Sequence, residues 1–348
     1  MVNLTAAFAP VLCLLTLLML MDSFKLVPIR FVFQALAAGA AAAFTALIFH
    51  VQLIDGIGVP IPVVTRVIAP VVEELLKLLF VVYAIRGRRV GFPVDAAIVG
   101  FAVGTGFALV ENSYYLIALQ SSGPVLWLVR GFGAAILHGA STGIAAIAAQ
   151  SLASRGHRQS VRVFVPGALA AIALHAVYNQ FVLPPVVATL LLLAVLPPLV
   201  LLTFNRSEHS TREWMGAGLD LDVELLRLVL SEDFGDTRLG AYLQQLRSRF
   251  PGPVVADMFC LMRLELELGI RAKGMVMARD AGLEVPLDDE LLAGLAEVRY
   301  LEKAIGPTGL MALTPLQVSS ERDAWHRFLL REQRRARTQP PDRPVNHF

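Results

Sequence analysis

Long apolar runs alternate with short polar breaks along the first two thirds of the chain. Seven runs stand out, at about residues 4–21, 27–50, 63–85, 94–119, 125–152, 161–182 and 184–204. A helix needs roughly 20 such residues to cross about 30 Å of hydrocarbon. Pro60-Ile61-Pro62, Gly91-Phe92-Pro93, Gly123-Pro124 and Pro184-Pro185 punctuate the gaps. Beyond residue 204 the pattern changes. "DVELLRLVL", "TRLGAYLQQLRSRF", "VVADMFCLMRLELELGIRAKGMVMARDAGL" and "DDELLAGLAEVRYLEKAIG" space apolar residues three and four apart, as amphipathic helices do. Asp288 precedes the last of these as an N-cap. The pattern predicts an all-α protein: a polytopic helical membrane bundle of about seven spans over 1–204, a helical soluble domain over 205–335, and a disordered tail over 336–348.

Composition sharpens this division. The 348 residues are 56% hydrophobic and 17% charged, too apolar for an ordinary soluble domain. Residues 1–204 carry 11 Lys+Arg and 6 Asp+Glu, against 19 and 22 in residues 205–348, so the charge concentrates in the second part. No basic patch with interleaved aromatics marks a nucleic-acid interface. The two cysteines, Cys13 and Cys260, sit in different parts and form no CxxC site. The first run lacks a preceding Lys or Arg and reads as a retained helix rather than a cleaved signal.

Lys and Arg then set direction. The connections after runs 1, 3, 5 and 7 carry Lys25/Arg30, Arg86/Arg88/Arg89, Arg155/Arg158/Arg162 and Arg206, and those after runs 2, 4 and 6 carry none. Positive residues stay cytoplasmic, so the N-terminus is expected outside and residues 205–348 in the cytosol. Arg66 and Arg130 lie just inside the outer ends of runs 3 and 5, where they are expected to snorkel outward.

Charges inside a span are costly and usually functional. Run 3 contains "VVEELLKLLF", with Glu73 and Glu74 about 15 Å below the outer end at 1.5 Å per residue, and Lys77 one turn on. Run 4 places Glu111 about 12 Å down, run 5 His138 about 20 Å down, and run 6 His175 about 10 Å down, with Asn179 on the same face. Either histidine alone, or Asn179, reads as interhelical hydrogen-bond glue, Glu111 alone as a paired structural carboxylate, and Ser141 and Thr142 as bonding back to their own helix, whereas the adjacent Glu73-Glu74 pair in mid-span does not fit a packing role. Four antiparallel spans nevertheless bring the acids and imidazoles to one slab. Gly100/Gly104 and Gly139/Gly143 allow runs 4 and 5 to approach closely.

Two histidines and a glutamate form a ligand set for a catalytic divalent metal, with zinc the expected ion, so Glu111, His138 and His175 are the candidate metal ligands. The metal would lower the pKa of a water, and Glu73 or Glu74 would take its proton. The other glutamate orients through Lys77 or joins the coordination. Asn179 is placed to hold a substrate carbonyl or steady a ligand.

"EELLK" (73–77), "GFAVGTGFALVEN" (100–112), "HGAST" (138–142) and "HAVYN" (175–179) resemble, in order and spacing, the motifs of the PrsW family of intramembrane proteases. At greater distance they resemble the CAAX-protease and bacteriocin-processing superfamily. The resemblance covers about residues 60–185. It implies a multi-pass protein of the bacterial inner membrane that cleaves membrane-anchored substrates near the outer face, for example an anti-sigma factor. Carried over, Glu73 and Glu74 are the essential pair, with Glu111, His138 and His175 as further site residues. The motifs stop short of residues 205–348, which read as a regulatory domain or one that docks a cytosolic partner. Two other readings compete. A proton-coupled transporter would predict internal repeats, and none relates runs 1–3 to 4–6. A non-catalytic scaffold would make the polar cluster packing glue.

Overall fold

A computed structural model describes residues 2–22, 26–119, 123–154, 160–281, 283 and 289–316. The expected N-cap Asp288 and the expected disordered tail lie outside these residues. No strand occurs among the described residues. The chain divides into two compact units, Met1–Ser210 and Thr211–Phe348.

The first unit is a bundle of long helices. In chain order they are α1 (Val2–Met21), α2 (Ile29–Val51), α3 (Ala69–Arg86), α4 (Pro93–Ala118), α5 (Ile136–Leu152), α6 (Val165–Asn179) and α7 (Pro185–Val229), the last running on into the second unit. Prolines within the first two positions of α4 and α6 fit helix starts, where a missing N–H costs nothing. Asp95 fastens the start of α4, accepting from the N–H groups of Gly91 (3.1 Å) and Phe92 (2.9 Å). Two helices are entered through wider turns. π-helical residues Val64–Ile68 precede α3, and π-helical residues Val129–Ala135, after a short turn at Pro124–Leu128, precede α5.

Helix α4 is the centre of the bundle and is buried continuously from Val94 to Ala108. Its small residues permit this. A Cβ at Gly104 would lie 2.1 Å from the His138 carbonyl oxygen on α5, and one at Gly106 would lie 2.0 Å from the Leu36 carbonyl oxygen on α2. Backbone-to-backbone packing of α4 and α5 is what the glycine spacing predicts.

Among the described residues, six helices are long and apolar enough to cross a membrane. Helix α3 is not among them, because Glu73, Glu74 and Lys77 put three charges into any stretch of it long enough to span. Its geometry compensates. Glu73, Glu74 and Lys77 are buried in the bundle, while Val71, Leu75, Leu79 and Tyr83 face outward along one stripe. Polar inside and apolar outside is the arrangement of a helix bordering lipid. Helix α7 does not end near residue 204 as expected. It continues through the polar sequence to Val229.

In the second unit the last turns of α7 are followed by α8 (Arg238–Leu246), α9 (Gly252–Asp280) and α10 (Asp289–Leu313). Their apolar stripes meet in a core that includes Leu243, Met258, Leu266, Leu295, Val298 and Leu301. Thr237 caps α8, its Oγ1 accepting from the Gly240 N–H at 3.0 Å. Helix α10 breaks at Gly306, which has φ 72°, just before Pro307. Inside this unit, Lys273 Nζ donates to Asp222 Oδ2 at 2.7 Å, and both are buried.

Candidate active site

The polar residues of four helices meet at one end of the first unit. Helix α3 supplies Glu73, Glu74 and Lys77 near its start, α4 supplies Glu111 near its end, α5 supplies His138 near its start, and α6 supplies His175 near its end. The alternating direction of the helices brings these positions to a common level.

Glu74 is the hub. Its side chain is fully buried, and one oxygen, Oε1, faces Lys77 Nζ at 2.6 Å, His175 Nδ1 at 2.9 Å and the Ser141 hydroxyl at 3.0 Å. Its second oxygen, Oε2, is buried without a hydrogen-bond partner. Lys77 reaches further, to His138 Nδ1 at 3.1 Å, and its ammonium lies 4.8 Å from the centre of the Phe107 ring. The opposite nitrogen of His138, Nε2, lies 2.9 Å from Glu111 Oε2. A carboxylate there only accepts, which assigns the His138 proton to Nε2 and leaves the Nδ1 lone pair toward Lys77. By the same reasoning Glu74 takes the Nδ1–H of His175, and the Nε2 lone pair of His175 faces Glu73, whose Oε2 is 3.8 Å away. The two imidazoles stack edge to face with centroids 4.9 Å apart.

Glu73 makes no such short contact. Its nearest charged or basic neighbours are His175 and His50, each at 3.8 Å. One donor atom each from Glu73, His138 and His175 falls within 4.8 Å of the others.

Residues 27–203, just over half of the chain, match the description PrsW family intramembrane metalloprotease. The chain belongs to that family. No curated protein and no solved structure matches it.

A PrsW-family protease is expected to hold a divalent metal, and the donors here fit one. Two nitrogens and a carboxylate oxygen are the donor set of open zinc sites. Glu74 on His175 and Glu111 on His138 are the outer carboxylates that fix imidazole ligands in such sites. A cation would compete with Lys77 for the His138 Nδ1 lone pair, and Glu74 Oε2 offers the ammonium a second acceptor on the same carboxylate.

The geometry groups the candidate residues differently from the expectation. Glu73 joins the two imidazoles in the close triple, and Glu111 sits on the far side of His138. Asn179 donates its Nδ2 to the Thr65 carbonyl at 3.1 Å, tying α6 to the π-helical entry of α3. Arg130 does not snorkel outward. Its Nη2 lies 3.3 Å from Glu111 Oε2 and its Nε donates to Asn112 Oδ1 at 3.0 Å. Ser141 does more than bond back to its helix, since it also donates to Glu74. Sequence reasoning passed over Arg130, Ser141 and His50 as members of the site. Arg130 carried the one available signal, a charge in an apolar run at the level of Glu111.

Proposed function

We propose that the chain is an intramembrane endopeptidase that hydrolyses membrane-anchored proteins near the outer membrane face, in regulated proteolysis such as removal of an anti-sigma factor. The observation that carries this reading is the triple of Glu73, His138 and His175, a hydrolytic donor set inside a lipid-facing bundle. A divalent cation bound there, with zinc the expected ion, would supply electrophilic polarisation of the scissile carbonyl and of water.

The chain's own residues divide the remaining work. Glu73 is the reactive carboxylate. It offers an oxygen to the imidazole pair and, unlike Glu74, makes no short contact, so it would be available to accept a proton from water. Glu74 is the organiser: with Oε1 committed to Lys77, His175 and Ser141 and no exposure, it holds its partners rather than meeting substrate. Lys77 balances the buried charge of Glu74. Asn179 keeps α6 and the entry of α3 in register.

Orientation follows from the connections. The site lies at the end of the bundle whose connections, about residues 52–60, 119–123 and 180–184, contain no Lys or Arg. The opposite end carries Arg86, Arg88, Arg89 and Arg162. The positive-inside rule then places the site toward the outer face and residues 205–348 in the cytosol of a bacterial inner-membrane protein, where they can dock a cytosolic partner. The outward apolar stripe of α3 supports a seventh crossing, as that topology requires.

The test is to map new N-termini in the membrane fraction of cells expressing wild type or Glu73→Gln at equal levels. The expected result is a set of cleavages at the outer ends of membrane anchors, present with wild type and absent with the variant. Identical termini in both would overturn the proposal.

A further inference from the structure

The network around His138 does not stop at Glu111. Arg130, in the π-helical entry to α5, pairs with Glu111 at 3.3 Å and donates from Nε to Asn112 Oδ1 at 3.0 Å. Its guanidinium also lies flat against Tyr115, 3.7 Å from the ring centre. Asn112 in turn donates from Nδ2 to the Ala7 carbonyl of α1 at 2.8 Å. A path of three hydrogen bonds and one ion pair therefore runs from the backbone of α1 through Asn112, Arg130 and Glu111 to the Nε2 of His138, the ion pair being that of Arg130 Nη2, a buried nitrogen without a hydrogen-bond partner, with Glu111. The path is only partly reachable by water: Asn112 and His138 are buried and the Arg130 side chain is 14% exposed. Helix α1 is also held against this region by shape, since a Cβ on Gly131 would lie 1.8 Å from the Ala6 carbonyl oxygen.

The matched family residues begin at position 27, so α1 lies outside them. We propose that Arg130, anchored to α1 through Asn112, is a positioning residue of the site: it holds Glu111 against His138 Nε2 and so fixes the orientation of that imidazole. The proposal rests on the proteolytic reading of the same site. Several features make Arg130 suited to this. Its planar fork serves Glu111 and Asn112 at once, and the Tyr115 face fixes its plane, which a lysine could not reproduce. Without it, Glu111 would lose its cationic partner, and its side chain, 26% exposed, would be free to turn away from His138. His138 would then be free to rotate or to exchange tautomers. Helix α1 thereby becomes part of the site's outer scaffold rather than a bystander.

The experiment uses the full chain in detergent micelles, stripped of metal and labelled with nitrogen-15 at histidine, with His138→Asn to assign the signal. Wild type should show His138 as one tautomer, protonated at Nε2. Arg130→Ala and Asn112→Leu should give a mixture of tautomers while helix content stays at the wild-type level. Arg130→Lys should fall between, and it keeps the test decisive if the alanine variant fails to fold. Zinc titration supplies a second readout, with Arg130→Ala expected to weaken binding about 10–100-fold. Adding Arg130→Ala to Glu111→Gln should cost no more than about 2-fold further, because the two act through one contact. Unchanged His138 signals in folded Arg130→Ala or Arg130→Lys would overturn the proposal, as would zinc penalties that multiply in the double variant. A wild type that binds no zinc would count against the metal reading of the active site, and the tautomer comparison would still decide the role of Arg130.

Discussion

Glu73 and Glu74 are neighbours in the chain and opposites in their surroundings. Glu74 is sealed behind Lys77, His175 and Ser141, while Glu73 faces the imidazoles with no short contact of its own. Substitutions should separate the two. Glu73→Gln removes the reactive group and should abolish cleavage with the fold retained. Glu74→Gln leaves an amide that can donate where only acceptance fits, and it should lower cleavage and metal affinity about 10–100-fold through a misplaced His175. Ser141→Ala deletes one hydrogen bond to a buried carboxylate and should cost about 1.5–3 kcal/mol of stability, read by thermal unfolding. The six charged and imidazole candidates were legible in the sequence because each is expensive in an apolar run. Their division of labour was not. Whether a carboxylate meets a cation or backs an imidazole depends on rotation about the helix axis and on rotamer, and apolar spacing fixes neither. Arg130 shows the same limit: its depth can be counted along the run, and only packing shows that it turns toward Glu111 instead of the surface.

At the scale of elements, the helices that carry the site are joined by contacts rather than by loops. Gly104 lets α4 lie against the His138 backbone, so the separation of Glu111 and His138 is set by a residue with no side chain. Gly104→Ala should force α4 and α5 apart, lowering stability by about 1–3 kcal/mol and reducing cleavage more than an equally destabilising change on the outer face of α3, such as Leu79→Ala. Unfolding and cleavage measured on the same preparations check this. The close α4–α5 approach was readable as glycine spacing. The π-helical entries at Val64–Ile68 and Val129–Ala135 were not, since one extra residue in a turn leaves no mark on an apolar run. Both precede helices that bear site residues, and widened turns of this kind are frequent at functional sites, where they re-aim the helix beyond them. The continuation of α7 to Val229 was hidden for a related reason: sequence hydropathy marks where the apolar run ends, and the helix continues past it through residues of modest propensity, Gly216 and Gly218 among them.

At the scale of the whole chain, two units with different chemistry succeed one another. In the second, Lys273 and Asp222 form a buried pair inside a helical core. Lys273→Ala should destabilise that unit by about 3–5 kcal/mol, seen as faster proteolysis of residues beyond 210, while zinc binding by the first unit persists. The topology has its own check, in a background with Cys13 and Cys260 replaced. Ile57→Cys should react with a membrane-impermeant maleimide on intact spheroplasts, and Arg88→Cys only after permeabilisation; the reverse pattern would place the site on the cytosolic side. The convergence of Glu73, His138 and His175 on one cation is tested most directly by zinc titration of the purified, metal-stripped full chain. Wild type should bind one equivalent, and Glu73→Gln and His175→Ala should each lose more affinity than the roughly 10–100-fold that a missing outer partner costs. Equal zinc affinity in all three proteins would contradict the shared site.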